Sequence, residues 1–128
     1  MRDFNFRNDT KLLFRNDIRE TVSEITKGHK VMLVYGSGSI KQNGCHEDIT
    51  RTLVDSGIPF IEYGGSSREF EKIEQGIRLA KTNEVTMIIG AGGASVMDSA
   101  KLMAFGFYHE PDLWDYVKGK PSYGLKRL

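Results

Sequence analysis

The sequence VTMIIGAGGASVMDSAK occupies residues 85–101 and decides the fold. It opens with an apolar run typical of a buried strand, stops at the glycine-rich segment 90–93, and continues with apolar residues at helical spacing. The stretch therefore predicts a strand, a glycine turn and a helix. Glycines at such a junction let the backbone approach a ligand, and the free N–H groups at the start of the helix favour an anion such as phosphate. A purely structural turn in an α/β sheet is the alternative interpretation.

The rest of the chain repeats this alternation. We predict strands over residues 30–35, 58–63 and 85–89, helices over 16–27, 47–55 and 66–81, and a signature helix that ends near residue 107. Ser66 and Glu69 have the spacing of a capping box for the third of these helices, and Pro111 suits the first turn of a further helix. Two short strands near residues 4–6 and 11–14 precede the alternation. The pattern predicts an α/β fold with a Rossmann-like parallel sheet and helices on both faces.

Length and composition indicate one globular domain. The 128 residues can bury a single core, and 39% hydrophobic with 27% charged residues is ordinary globular composition. Eighteen basic and 17 acidic residues give a formal charge of +1 without a long run of either sign, so we expect no nucleic acid and no membrane surface as partner. Apolar segments are shorter than the about 20 residues that span a bilayer. The lone Cys45 fits a reducing compartment, and we expect the chain in the cytoplasm.

Ser95 and Asp98 follow the glycines at fixed offsets, and the whole string resembles the GGGSxxDxAK signature of the iron-type alcohol dehydrogenases. The residues that fall on the signature are Gly92, Gly93, Ser95, Asp98, Ala100 and Lys101. Ala94 replaces the third glycine, which mainly allows close packing of helix and strand, and alanine is the smallest replacement. The resemblance implies that residues 92–95 contact the pyrophosphate of a dinucleotide and that Asp98 lies near its nicotinamide end. A Ser-x-x-Asp helix cap is the alternative for Asp98.

The resemblance covers nearly all of the chain. FNFRNDTKLLF at residues 4–14 is similar to the family's first β-hairpin, KVMLVYGSGSIKQNG at 30–44 to its second-strand loop, and DLWDYVKGK at 112–120 to the butanol dehydrogenase branch. It implies a dehydroquinate synthase-like N-terminal domain with a short β-hairpin before the sheet. In the family a helical metal-binding domain would begin after Leu128. We therefore interpret residues 1–128 as a single nucleotide-binding domain of a longer enzyme.

A second chemical feature follows the strand at residues 30–35, at the end where open α/β sheets bind ligands. Its candidate cofactor residues are Gly36, Ser37, Gly38, Ser39 and Lys41. A carboxylate usually binds the adenosine ribose of NAD, yet Asp and Glu are absent between Lys30 and Cys45. Serine hydroxyls, glycine N–H groups and a lysine instead suit the 2′-phosphate of NADP. The resemblance places this loop on the adenosine side, so we predict NADP as cofactor, with NAD possible; a solvated polar loop is the alternative.

Residues 66–68 depart from the family pattern. The family usually carries a Pro-Asn-Pro turn against the adenine end, and this chain reads Ser-Ser-Arg. Ser67 can still donate and accept hydrogen bonds, although the rigidity of proline is lost. We interpret Ser66 and Ser67 as a helix cap, and Ser67 also as a candidate cofactor contact.

The resemblance also implies a metal ion that this chain does not itself bind. In the family one aspartate and three histidines of the helical domain hold iron or zinc, which lowers the pKa of the alcohol so that hydride can leave its carbon. His29, His46 and His109 are widely separated, lack the i, i+4 spacing of a ligand pair, and match none of those ligands. We predict surface or helix-terminus positions for all three, and neither a metal site nor a catalytic residue in this chain.

Two functional hypotheses remain. In the first, the chain is the NADP-binding portion of an iron-type alcohol dehydrogenase acting on a primary alcohol or aldehyde. In the second, it is complete, and it is a non-catalytic nucleotide-binding module or the relic of an interrupted gene. Because the family continues into another strand, we expect an exposed sheet edge that a homo-oligomer covers, with Trp114 and Tyr116 near the contact. Alternatively, the helix around Trp114 folds back over the edge of its own chain.

Overall fold

The computed structural model describes residues 9–117, with side chains over residues 9–109 except that of Ser39. The elements in chain order are α1 (Arg19–Ile25), β1 (Val31–Tyr35), α2 (Ser39–Gln42), α3 (Cys45–Asp55), β2 (Phe60–Tyr63), α4 (Phe70–Thr82), β3 (Met87–Ala91) and α5 (Ala94–Val117). The described strands form one parallel sheet in the order β2-β1-β3. The predicted α/β fold with a parallel sheet is confirmed.

The central strand β1 explains why helices cover both faces of the sheet. All five of its residues are buried, as in a strand that has protein on either side. Met32 and Val34 pack into a cluster with α4 and α5. Val31, Leu33 and Tyr35 pack into a second cluster with α1, α2 and α3. The chain therefore has three layers, and the sheet is the middle one.

The connections fix where a ligand would bind. The segment after β1 forms α2 and α3 on one face, whereas the helix after β3, α5, lies on the opposite face. Neighbouring strands whose following helices diverge in this way leave a crevice at the carboxyl ends of the strands. The crevice of this sheet lies between β1 and β3, beside the loop of β2.

The first predicted strand pair is not observed as expected. Residues 11–14 have no regular secondary structure, so the predicted strand there is wrong, and residues 4–6 lie outside the described part of the chain. Leu12 and Phe14 are 91% and 98% exposed. A short apolar run stabilises a strand only where it packs on a core, and these exposed side chains have no such packing among the described residues.

The capping box predicted at Ser66 and Glu69 is also wrong. The helix begins at Phe70, and Glu69 occupies the N-cap position without a side-chain cap hydrogen bond. Ser66 donates its N–H to the carbonyl oxygen of Tyr35 at 2.9 Å, which continues the pairing of β1 with β2 beyond the strand. Ser66 therefore belongs to the strand-end loop, and its buried Oγ has no hydrogen-bond partner among the described residues.

The last helix is long and bent. His109 has non-helical angles (φ −130°, ψ 36°) inside α5, between the predicted end near residue 107 and the predicted start at Pro111. The side chains of Trp114 and Tyr116 lie outside the described residues. Among the described helices, none has the length and apolar character needed to cross a membrane.

Strand β3 and helix α5 approach each other closely at Gly90. A Cβ atom at this position would lie 2.8 Å from Cβ of Ala100. Since both atoms are attached to backbone, the strand and the helix must separate in Gly90→Ala. We expect this variant to lose about 1–3 kcal/mol of unfolding free energy, measured by chemical denaturation.

The matched variant Ala100→Gly tests the origin of this loss. In the double variant Gly90→Ala/Ala100→Gly the facing methyl group is gone, so stability should recover except for about 1 kcal/mol, the helix cost of glycine. A Gly90→Ala chain as stable as the unmodified chain would contradict the close contact.

Candidate functional site

The carboxyl ends of the parallel strands bring together loops 36–38, 64–69 and 92–93. The N–H of Gly65 donates to the carbonyl oxygen of Gly36 at 3.0 Å, so the loops after β1 and β2 are joined by backbone hydrogen bonds. The three loops form one surface at the crevice, where open α/β sheets bind ligands.

The glycine turn after β3 starts α5 at once. Gly92 has a φ of +146°, a region that residues with a side chain rarely adopt. The carbonyl oxygen of Gly93 accepts hydrogen bonds from the N–H groups of Val96 and Met97, both at 3.1 Å. The first N–H groups of a helix have no acceptor within it, and the residues that carry them here, Ala94 and Ser95, are exposed. The predicted residues 92–95 thus form one exposed turn at the start of a helix, a place where anions often bind. Their contact with a cofactor stays a prediction.

Val96 connects this turn to the loop after β1. A Cβ atom at Gly36 would lie 3.2 Å from Cγ2 of Val96, and one at Gly92 would lie 3.0 Å from the same atom. Val96 is itself buried. A side chain at either glycine would crowd the same valine, so the loops after β1 and β3 both lie close to Val96.

Ser99 ties the loop after β2 to the same helix, and sequence reasoning missed it. Its Oγ is buried and lies 2.8 Å from the carbonyl oxygens of both Ser67 and Ser95. The hydroxyl proton is donated to one of these oxygens at a time. The contact with Ser67 spans 32 positions of sequence. A serine within a helix ordinarily bonds its own helix, so the sequence carried no signal for this contact.

Asp98 faces the loop after β2. Its carboxylate lies 3.2 Å from the guanidinium of Arg68, and both side chains are more than half exposed. An exposed pair of this kind contributes at most about 1 kcal/mol to stability. Ser67, the other candidate in this region, accepts a hydrogen bond from the N–H of Glu69 at 3.3 Å. Contact of Asp98 and Ser67 with a cofactor stays a prediction.

An open pocket of about 310 Å³ lies between the ends of β1 and β2. Its lining residues are Tyr35, Gly36, Ser37, Gly38, Lys41, Gly64 and Gly65. The Nζ atom of Lys41 is 5.3 Å from the centroid of the Tyr35 ring, within cation–π range. The structure therefore places most of the predicted residues of this loop around one pocket. Ser39 is the first residue of α2, and its side chain lies outside the described part of the chain.

A carboxylate lies beside this pocket, although the loop itself contains none. Oε1 of Glu62, on β2, accepts a hydrogen bond from the hydroxyl of Tyr35 at 3.3 Å and another from Nε2 of His46. Glu62 comes from the neighbouring strand and lies outside the segment between Lys30 and Cys45, so the sequence prediction did not include it. The parallel register, which pairs Leu33 with Glu62, is the signal that would have found it.

The three histidines occupy different parts of the molecule. Nδ1 of His29 lies 3.0 Å from Oγ1 of Thr86 at the amino ends of the strands, and His46 is in the first turn of α3. His109 is buried beside Phe105, so it does not lie at the surface. It stands at the kink that interrupts α5, which agrees with the helix-terminus alternative of the prediction. Within the described residues, no three His, Cys, Asp or Glu side chains are placed to hold a metal ion.

The single cysteine is consistent with a structural role. Cys45 is half-buried, and burial raises the pKa of its thiol, with a smaller contribution in the same direction from the negative charge of Asp48. A raised pKa keeps the thiol protonated and unreactive at neutral pH.

Comparisons with known proteins identify one family. The model for iron-containing alcohol dehydrogenases matches residues 9–127. The chain is 34% identical over 122 residues to NADH-dependent butanol dehydrogenase A of Clostridium acetobutylicum, which covers 92% of this chain and 31% of that protein. It is 29% identical over 107 residues to the NADPH-dependent aldehyde reductase YqhD of Escherichia coli, covering 81% and 27%.

Solved structures agree. NADH-dependent butanol dehydrogenase A from Thermotoga maritima superposes with a TM-score of 0.84 at 35% identity, covering 97% of this chain and 32% of that one. The substrate- and cofactor-free aldehyde reductase YqhD from E. coli gives 0.81 at 26% identity, covering 98% and 33%. The chain thus spans about a third of the length of these proteins. Because the family match extends over nearly all of its residues, the chain belongs to the iron-containing alcohol dehydrogenase family.

Proposed function

We propose that this chain is the dinucleotide-binding portion of an alcohol dehydrogenase that transfers hydride between NADP and a primary alcohol or aldehyde. The observation that carries the proposal is the contact of Gly36 and Gly92 with Val96, which sets an anion-binding turn beside a pocket containing a lysine. The printed names of relatives, butanol dehydrogenase and aldehyde reductase, support this reaction class. When bound, the nicotinamide ring of the cofactor accepts or donates the hydride.

Each loop has a separate role in this proposal. The N–H groups at the start of α5 hold the pyrophosphate, because glycines at 92 and 93 keep side chains away from it. The pocket around Lys41 holds the adenosine ribose and its 2′-phosphate. Ser67 lies toward the adenine, and Asp98 toward the nicotinamide. The Arg68 guanidinium lies 3.2 Å from the Asp98 carboxylate.

Cofactor choice is the part of the proposal that the relatives leave open. They include NADH-dependent butanol dehydrogenases and an NADPH-dependent aldehyde reductase. We propose a preference for NADPH, because the pocket presents Lys41 and Ser37 and its own loop has no carboxylate.

Titration calorimetry of the chain with NADPH and NADH tests this preference. We expect NADPH to bind more tightly than NADH. Lys41→Ala should reduce the ratio of the NADH to the NADPH dissociation constant by about ten- to a hundredfold, since a charge-assisted contact contributes roughly 1.5–3 kcal/mol. Lys27→Ala removes the same charge from an exposed turn before β1, at the other end of the sheet, and should leave the ratio unchanged. Equal or tighter binding of NADH to the unmodified chain would overturn the preference.

We further propose that the 128-residue chain alone has no alcohol dehydrogenase activity. The metal of the family needs a set of protein ligands, and the described residues do not form one, so they do not fit the ion. Purified chain incubated with NADP, butanol and iron or zinc should show no formation of NADPH by absorbance. Turnover that disappears on chelation and returns with metal would place a metal site in this chain and contradict the proposal.

An apolar strip along β3 supports the proposal of a homo-oligomer. Within the described residues β3 pairs with β1 alone, which leaves its other edge without a strand. A groove of about 180 Å³ beside it is lined by Val85, Thr86, Met87, Ile88, Ala104, Phe107 and Tyr108. Met97 and Tyr108 are 47% and 66% exposed nearby. A second copy of the chain would cover this edge and the apolar strip. The location of Trp114 and Tyr116 at the contact stays a prediction.

Light scattering at high micromolar concentration should therefore give a dimer or larger assembly. Tyr108→Glu places a charge in the strip and should shift the chain toward monomer. The matched change Val54→Glu, at an exposed apolar residue of α3 on the opposite face, should not. A strictly monomeric unmodified chain, with Trp114 fluorescence typical of a buried indole, would show that the chain covers its own edge.

A further inference from the structure

Four side chains form a connected group at the adenosine-side pocket, which we name the Tyr35 cluster: Tyr35, Lys41, His46 and Glu62. The ring of His46 meets the ring of Tyr35 edge-on, with 5.2 Å between centroids and 76° between planes. The ammonium of Lys41 lies over the same Tyr35 ring. Glu62 joins the group through the Tyr35 hydroxyl and the His46 imidazole.

The register of the strands and the position of α3 bring the side chains of the Tyr35 cluster together. Glu62 is paired in register with Leu33, so its side chain lies on the same sheet face as those of Leu33 and Tyr35. That face is covered by α3, whose first turn carries His46. The cluster therefore draws on two strands and two helices.

Tyr35 connects the Glu62 carboxylate to the pocket. Its ring lines the pocket, and a Cβ atom at Gly64 would lie 2.7 Å from the ring, so the ring is held closely against the loop after β2. Its hydroxyl bonds Glu62, which fixes a carboxylate oxygen 3.3 Å from a pocket-lining side chain. The negative charge of Glu62 thus lies at the hydroxyl of the same ring whose face carries the positive charge of Lys41.

We infer that Glu62 is a specificity-determining residue that opposes the 2′-phosphate of NADPH, and that His46 is a positioning residue that moderates this effect by holding the Glu62 carboxylate. The inference rests on the proposed dinucleotide function. Lys41 attracts the phosphate, and Glu62 repels it while leaving the uncharged ribose hydroxyls of NADH unaffected. The ratio of the two affinities is then set by the balance of two opposite charges.

Partial exposure limits the size of the effect. Glu62 has 39% and His46 has 20% of the side-chain surface exposed, so water screens the charge in part. Two unit charges about 10 Å apart in a partly aqueous surrounding change an affinity by roughly three- to tenfold. An effect of this size is well resolved by calorimetry.

Glu62→Gln removes the charge and keeps an oxygen that accepts hydrogen bonds. We expect the ratio of the dissociation constant for NADH to that for NADPH to rise about three- to tenfold, because repulsion of the 2′-phosphate is lost. Glu24→Gln makes the same change of net charge on the exposed surface of α1 near the amino ends of the strands, and should leave the ratio unchanged.

His46→Gln tests the positioning role. Loss of the imidazole frees the carboxylate, so the same ratio should fall about two- to threefold. In the double variant Glu62→Gln/His46→Gln the ratio should equal that of Glu62→Gln alone, because His46 acts through Glu62. If the cluster had only a structural role, the substitutions would weaken the binding of NADPH and NADH equally. The ratio of their dissociation constants would then be the same in every variant.

The outcomes separate the two proposals. If both nucleotides bind and Glu62→Gln leaves their ratio unchanged in a chain that retains its circular dichroism spectrum, the inference is overturned and the proposed function stands. If neither nucleotide binds the unmodified chain, both are overturned.

Discussion

The burial of β1 on both faces is the constraint on which the rest of this structure depends. Five consecutive buried residues cannot be satisfied by one layer of helices, so the chain must place α1, α2 and α3 on one side and α4 and α5 on the other. Right-handed connections between parallel strands then send the chain from β1 to β2 in one direction and back across β1 to β3. The crevice at the strand ends follows from this reversal.

Side chains at the start of α5 hold the loops of the candidate site in place. Val96 lies close to Gly36 and Gly92, and Ser99 bonds the loop after β2, so the first two turns of α5 reach all three loops at the strand ends. Both side chains are buried and neither is offered to solvent. The turns whose N–H groups we propose for the pyrophosphate therefore also hold the neighbouring loops in place. In that proposal, one piece of helix both binds the ligand and aligns the loops around it.

Local signals in the sequence predicted most of the fold, and contacts between distant residues account for the errors. The glycine turn, the buried strand β1 and the helical periodicity of α4 each depend on neighbours within a few positions. The cap at Ser66 failed because the pairing of β1 with β2 continues past the end of the strand. Glu62 was missed for a similar reason: its partner Tyr35 is 27 positions away, and only the register of two parallel strands brings them together. The short helix α2 carried too few residues for a periodic pattern.

The glycines of the signature fall into two groups when the space around each is considered. Gly92 has a positive φ and lies against the methyl group of a valine, so the protein itself requires glycine there. Gly93 has an ordinary backbone conformation, and a Cβ atom at this position would meet no atom of the described chain within 4 Å. Only something outside the chain would be crowded by a side chain at that position. At the next position, Ala94 is exposed, so the structure accommodates a methyl group where the signature has its third glycine. In turns of this kind, glycine at the position of Gly92 is therefore a requirement of the fold. The size of the residues at the next two positions depends instead on the ligand that the turn binds.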